Sequence, residues 1–198
     1  HPDTSPAVAP TVAREVFETT QGYGAAIRRG LRETTDADLV CVCEPDGTFD
    51  PADLLKLLPF TSDVDVVFGS RTVQTFILSG ANMGWFLRWG NWAVAKLTEV
   101  LYNTVYLSDV GCTFRVLKRS AIDDMSPLFV GNESSFGFEM MLLAAQKKMS
   151  LVQVPVKYQE RVGESSVTGS QSKAVKLGLQ MIAMCLRMRL APQRSAER

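Results

Sequence analysis

The stretch that most constrains this chain is Leu39 to Asp50, LVCVCEPDGTFD. Leu39 to Cys43 is a short apolar run of β-branched and small side chains, which predicts a buried strand. Glu44-Pro45-Asp46-Gly47 then stops it, because Pro and Gly close a turn and leave two carboxylates at the strand's carboxyl end. Asp50-Pro51 supplies a helix N-cap and a proline at the first helical position, opening a helix over Ala52 to Leu58. A strand, turn and helix in this order build an open α/β sheet, whose ligands collect beyond the carboxyl ends of the strands. Glu44 and Asp46 are hard oxygen ligands at alternate positions, which suits Mg²⁺ or Mn²⁺ holding a diphosphate. An acidic surface turn has the same residues; the flanking strand and helix are what favour a site.

The alternation continues along the chain. Val12 to Thr19 is expected as a short edge strand. Gly22-Tyr23-Gly24 opens a helix to about Glu33, striped by Ala25, Ala26, Ile27 and Leu31. Gly22 either brings backbone N–H groups to a phosphate or lets the helix pack closely. Val64 to Phe68 is a second strand, ended by Gly69-Ser70-Arg71, so Arg71 also lies past a strand end. Gly80 to Tyr106 is largely one long helix whose Trp85, Phe86, Trp89 and Trp92 recur at near-helical spacing, and such aromatics are read as core.

From Ser108 to Arg115, the polar residues Asp109, Thr113 and Arg115 alternate with smaller or apolar ones, as in a strand with one face toward a cleft. Asp109 is either a turn carboxylate or a group that receives a proton or touches substrate. A helix runs from about Phe136 to Lys148. Leu151 to Tyr158 is a strand whose Pro155 places it near an edge. Gln159 to Ser170 is a polar, glycine-containing flap carrying Arg161, Ser165 and Ser166.

Ala174 to Leu190 is helical, and its uninterrupted apolar middle is far shorter than the roughly 20 residues needed to cross a bilayer. It is either packed on the domain or lies in a membrane interface. Lys plus Arg and Asp plus Glu number 21 each, so no net field draws nucleic acid. Cys41, Cys43, Cys112 and Cys185 lack zinc spacing and are expected as reduced core thiols of a cytosolic protein.

GYGAAIRRG, EPDGTFD, GSR, DVGCTFRVLKR, FGFEMMLLA, VPVKYQERVGESS and the last helix, in that order, resemble family 2 glycosyltransferases. The resemblance is nearest to the dolichyl- or polyprenyl-phosphate hexose transferases, the group of the dolichol-phosphate mannose synthases. Each stretch alone is unspecific; their fixed order over most of residues 20 to 190 is not.

The resemblance implies a GT-A fold, Rossmann-like and α/β, with a mostly parallel sheet flanked by helices. It further implies a nucleotide-diphosphate sugar donor, a polyprenyl phosphate acceptor, inverting hexose transfer and Mg²⁺ or Mn²⁺. Asp46 falls on the better metal ligand of the family's D-x-D. Glu44, where the family commonly has Asp, lies nearer the nucleotide. Arg71 and Arg161 fall on positions that hold diphosphate or acceptor phosphate, with Gly22 and Arg115 also on the nucleotide side. Ser165 and Ser166 go with the acceptor, and Asp109 falls near sugar and acceptor as a catalytic candidate.

The family opens with a P-x-x-N-E-like strand that nothing before Gly22 matches. A GT-A domain lacking its first strand is therefore expected over residues 1–170, followed by an amphipathic helix over 171–190 and a disordered tail over 191–198. The uncovered sheet edge would favour self-association. A peripheral place at the cytoplasmic membrane face follows from the lipid acceptor and the last helix. A soluble acceptor, or a binding protein that has lost the chemistry, are the competing readings.

Overall fold

The computed structural model describes residues 14–81, 83–162 and 171–190, with the backbone alone at Gln171. The elements in chain order are α1 (Tyr23–Glu33), β1 (Leu39–Val42), α2 (Leu54–Leu57), β2 (Val66–Ser70), α3 (Trp85–Tyr102), β3 (Arg115–Lys118), α4 (Arg119–Met125), α5 (Phe136–Gln146), β4 (Leu151–Pro155) and α6 (Gln171–Leu190). Residues 14–19 form no strand, contrary to the expected edge strand. Ser165, Ser166 and the tail after Leu190 lie outside the described residues.

The sheet order is β1-β3-β2-β4. β3 runs antiparallel to both β1 and β2, while β2 and β4 are parallel. Three of the four strands therefore point the same way, and the reversed β3 is threaded between two of them. The carboxyl ends of β1, β2 and β4 open on one edge of the sheet, where β3 begins.

Both faces of the sheet are covered at its centre, as the sequence of β2 demands. β2 is buried throughout because its side chains alternate between two clusters: Val66 and Phe68 face one, Val67 the other. The larger cluster holds α3, α5 and α6; α5 is buried along nearly its whole length and is apolar all round. The smaller gathers Phe49, Leu57, Phe114, Val116 and Val154 beneath the α2 segment. Asp50 caps that segment as expected, its Oδ1 accepting from the Ala52 N–H at 3.0 Å.

Three expectations fail here. Cys41 and Cys43, expected as core thiols, are exposed together with Leu39, because β1 is an edge strand among the described residues. Trp85, Trp89 and Trp92 are also outside: α3 turns the smaller Val94, Ala95 and Thr98 inward, and Trp85 remains 73% exposed. Ser108 to Phe114 is an irregular turn, the strand starting only at Arg115.

α6 docks beside α3 through buried Met181 and Cys185, with Tyr102 donating its hydroxyl hydrogen to the Cys185 carbonyl at 2.9 Å. Val175, Leu179, Leu186 and Leu190 are exposed. Among the described residues no helix is long and apolar enough to cross a membrane.

Candidate active site

Four segments meet at the shared sheet edge: 43–50 after β1, 70–72 after β2, 108–114 before β3 and 156–162 after β4. Of the residues singled out by sequence, Glu44, Asp46 and Arg161 come together directly. One guanidinium nitrogen, Arg161 Nη2, lies 3.0 Å from Glu44 Oε2 and 2.7 Å from Asp46 Oδ2. Asp46 Oδ1 is occupied differently, accepting from the Thr48 N–H at 2.9 Å and the Thr48 hydroxyl at 2.6 Å.

The two carboxylates are unlike in acidity. Burial, and then Asp46 beside it, push the Glu44 carboxyl above its usual range against the pull of Arg161. Burial also works to raise Asp46, but the two Thr48 hydrogen bonds, with Glu44 and Arg161, bring it below the ordinary carboxylate range.

Glu44 Oε2 and Asp46 Oδ2 already converge on one positive group. Two carboxylate oxygens so placed fit a hard divalent cation that takes its remaining ligands from phosphate and water. Among the described residues no cluster of three or more His, Cys, Asp or Glu is placed to hold a metal ion.

Arg71 and Asp109 form the second constellation. Asp109 is fully buried; its Oδ2 accepts from Arg71 N–H at 2.9 Å and Nε at 2.8 Å, and its Oδ1 from Arg71 Nη2 and the Gly111 N–H, each at 2.9 Å. Burial alone would raise the Asp109 pKa, but the Arg71 charge and these hydrogen bonds hold it below the carboxylate range. A carboxylate with both oxygens doubly occupied has no lone pair left for a substrate proton. Of the two readings of Asp109 the geometry favours the turn carboxylate: it aims Arg71, and its expected catalytic role gives way to a positioning one. Gln153 of β4 holds the same turn, its Oε1 accepting from the Ser108 N–H at 2.6 Å.

Two sequence candidates for phosphate binding are placed elsewhere. Arg115 is 1% exposed and donates to the Gly137 carbonyl at 2.7 Å and to the carbonyls of Cys112 and Thr113. It is an interior strut without a face toward a ligand. Gly22 serves close packing: the Gly24 N–H donates to the Asn132 carbonyl at 2.7 Å, so the start of α1 is already engaged. Gly22 has φ of +143° and a Cβ there would run into the Asn132 carbonyl oxygen. Gly22→Ala is expected to lower stability by about 1–3 kcal/mol in thermal unfolding, with nucleotide affinity unchanged in the folded fraction.

Sequence reasoning missed Thr48, Tyr23, Gln153 and Tyr158. Tyr23 places a buried hydroxyl, without a well-formed hydrogen bond among the described residues, at the cavity wall, and burial raises its pKa. The ring of Tyr158 lies 5.2 Å from the Arg71 guanidinium carbon, a cation–π contact. Gln153 had a visible signal, a single amide inside an otherwise apolar strand.

Tyr23 and Tyr158 border a cavity of about 450 Å³. Glu44, Thr48, Arg71 and Arg161 provide its polar side. Phe86, Leu87 and Val94 from α3, with Val175, Leu179 and Ile182 from α6, provide apolar walls.

No family model matches the chain. A dolichyl-phosphate hexose transferase of Haloferax volcanii is 28% identical over 191 residues, covering 95% of this chain and 79% of the relative. An undecaprenyl-phosphate mannosyltransferase of Micrococcus luteus is 26% identical, covering 84% and 69%. Among solved structures, glucosyl-3-phosphoglycerate synthase from Mycobacterium tuberculosis, in complex with Mn²⁺, UDP and phosphoglyceric acid, superposes with a TM-score of 0.63. It is 14% identical, and the match covers 90% of this chain but only 57% of that one, a likeness that speaks for the fold. The chain thus has the fold of the GT-A glycosyltransferases, and its sequence is similar to those of the polyprenyl-phosphate hexose transferases of family 2.

Proposed function

We propose that the protein transfers a hexose, with inversion and with help from a divalent cation, from a nucleotide-diphosphate sugar to a polyprenyl phosphate at a membrane surface. The observation that carries this reading is the two-sided cavity. A phosphate on a long hydrocarbon needs cationic groups at one side and an apolar path at the other. Arg71 and Arg161 share the lining of one cavity with the apolar side chains of α3 and α6.

The chemistry asks little of the protein in proton transfer. The acceptor is already an anion, so a phosphate oxygen attacks the anomeric carbon while the bond to the diphosphate breaks. Arg71, held rigid by Asp109, neutralises phosphate charge as it develops. Glu44 and Asp46 would hold Mg²⁺ or Mn²⁺, which supplies Lewis-acid neutralisation of the leaving diphosphate. The Haloferax and Micrococcus relatives, named for lipid-phosphate acceptors, support the acceptor class.

The membrane side of the reading rests on surface that a water-soluble acceptor does not require. Trp85 and Trp89 at the start of α3 are exposed, and Phe86 of α3 with Val175 and Leu179 of α6 are exposed apolar side chains that line the cavity. Tryptophans with nearby Lys and Arg suit the headgroup region, where each cation adds about 1 kcal/mol near anionic lipid. The full chain is expected to float with anionic vesicles and to be released by salt. Trp85→Ser/Trp89→Ser should weaken partitioning about tenfold or more, since each buried aromatic is worth roughly 1.5–3 kcal/mol.

The deciding experiment incubates the protein with Mn²⁺, radiolabelled UDP- or GDP-hexoses and polyprenyl phosphate in vesicles. Label is expected in the organic phase only when the polyprenol is phosphorylated. Label appearing solely on soluble phosphorylated acceptors would replace the lipid acceptor, and absence of transfer to either would leave a binding protein.

A further inference from the structure

We propose that Arg161 is a displaceable counter-ion: it bridges Glu44 and Asp46 until a divalent cation takes those oxygens, and only then turns to a phosphate. The inference rests on the reading of Glu44 and Asp46 as cation ligands and adds an order of events to it.

Asp46 Oδ1 is committed to Thr48, so Oδ2 is the oxygen Asp46 offers a cation. Arg161 Nη2 occupies that same Oδ2 at 2.7 Å and Glu44 Oε2 at 3.0 Å. The contact with Asp46 Oδ2 is an ion pair without a hydrogen bond, and a metal ion using both oxygens needs the space this guanidinium nitrogen holds. They exclude one another.

The segment carrying Arg161 is stapled along the acidic turn. The Gln159 N–H donates to the Thr48 carbonyl at 3.0 Å, and Gln159 Nε2 to the Gly47 carbonyl at 2.8 Å. The Val162 N–H donates to the Asp46 carbonyl at 2.8 Å. These bonds hold the guanidinium at high local concentration over the carboxylates. The Arg161 side chain is 33% exposed, so leaving its place strands no buried charge. Two uses of Arg161, partner of the acidic pair and ligand of phosphate, are therefore successive. Cation and donor enter first, and Arg161 becomes available to the acceptor phosphate second. Linkage makes the relation reciprocal: whatever fraction of molecules keeps the bridge closed lowers the apparent affinity for the cation by that fraction.

The test uses the full chain and Mn²⁺ alone, with free Mn²⁺ counted by electron paramagnetic resonance. Arg161→Ala is expected to bind Mn²⁺ about tenfold more tightly than wild type, the factor for a bridge closed nine times in ten. Removing a positive charge would by itself favour a cation, so a second readout is needed. In wild type, saturating Mg²⁺ should speed hydrogen exchange at the Val162 amide as the segment loses the Arg161 bridge, one of its anchors. In Arg161→Ala that amide should exchange fast from the start and ignore Mg²⁺.

Equal Mn²⁺ affinities overturn the displacement and leave the cation site standing. Tighter binding without any change at Val162 overturns it as well, being a field effect only. If neither protein binds Mn²⁺, even with UDP added, the cation site falls and the displacement with it.

Discussion

Asp109→Asn is expected to lower stability by about 3–5 kcal/mol, the cost of breaking a buried ion pair from one side. For a domain of this size that is a melting temperature lower by about 10 °C. The loss comes from what stays behind: Arg71 Nε, Nη2 and N–H and the Gly111 N–H all aim at carboxylate oxygens in a site with no exposure. An amide presents one oxygen and turns its NH₂ toward donors. The pH dependence follows from the depressed Asp109 pKa. A carboxyl whose folded pKa lies below its unfolded value of about 3.9 stabilises the fold above that value. The contribution is lost as pH falls through the folded pKa, so the wild type should weaken in acid below about pH 4 and the Asn variant should lack that step. The double variant Asp109→Ala/Arg71→Ala should cost less than the sum of the single ones. A base in the reaction would behave otherwise: Asp109→Asn would then abolish turnover with the melting temperature unchanged, and the positioning role would be wrong.

The legible parts of this fold are those where local chemistry decides. β1, the acidic turn and the Asp50 cap depend on a dozen consecutive residues, and the turn sits at the sheet edge that the strand–helix order predicts. α1, α3, α5 and α6 follow from their periodicity. Periodicity says that a helix has a face, though, and not which face is inside. In α3 the tryptophans looked like core because they are the largest apolar groups, yet the space against α5 and α6 takes Val94, Ala95 and Thr98. α4 left no mark, since Arg119–Met125 follows β3 without a break or a side-chain cap.

The site was legible where its groups are near in sequence and illegible where they pair across the fold. Glu44 and Asp46 could be assigned to one turn. Asp109 meets Arg71 from 38 residues away, and Arg115 meets Gly137 from 22. An alternating polar pattern does not distinguish a side chain facing a cleft from one buried against a distant partner. The difference matters for function, because it leaves Arg71 and Arg161 as the cations at the cavity and removes Arg115.

Asp46→Ala should abolish cation-dependent nucleotide binding, with UDP or GDP affinity in Mn²⁺ falling about 100-fold or more, roughly 2.8 kcal/mol. Asp46 is the more acidic of the pair and stays ionised across the neutral range, and Thr48 fixes its orientation with two hydrogen bonds. Glu44, with its raised pKa, is the weaker partner, so Glu44→Gln should cost less and keep measurable metal dependence. The fold should tolerate both changes, since Asp46 anchors the Val162 strap through its backbone carbonyl, which alanine retains. Calorimetry with and without Mn²⁺ separates the contributions. The Asp46→Ala curve should be the same in both conditions and should coincide with wild type in chelator. Equal affinity of wild type and Asp46→Ala in Mn²⁺ would mean that the acidic turn serves Arg161 and not a cation, and that arginines alone carry the leaving diphosphate.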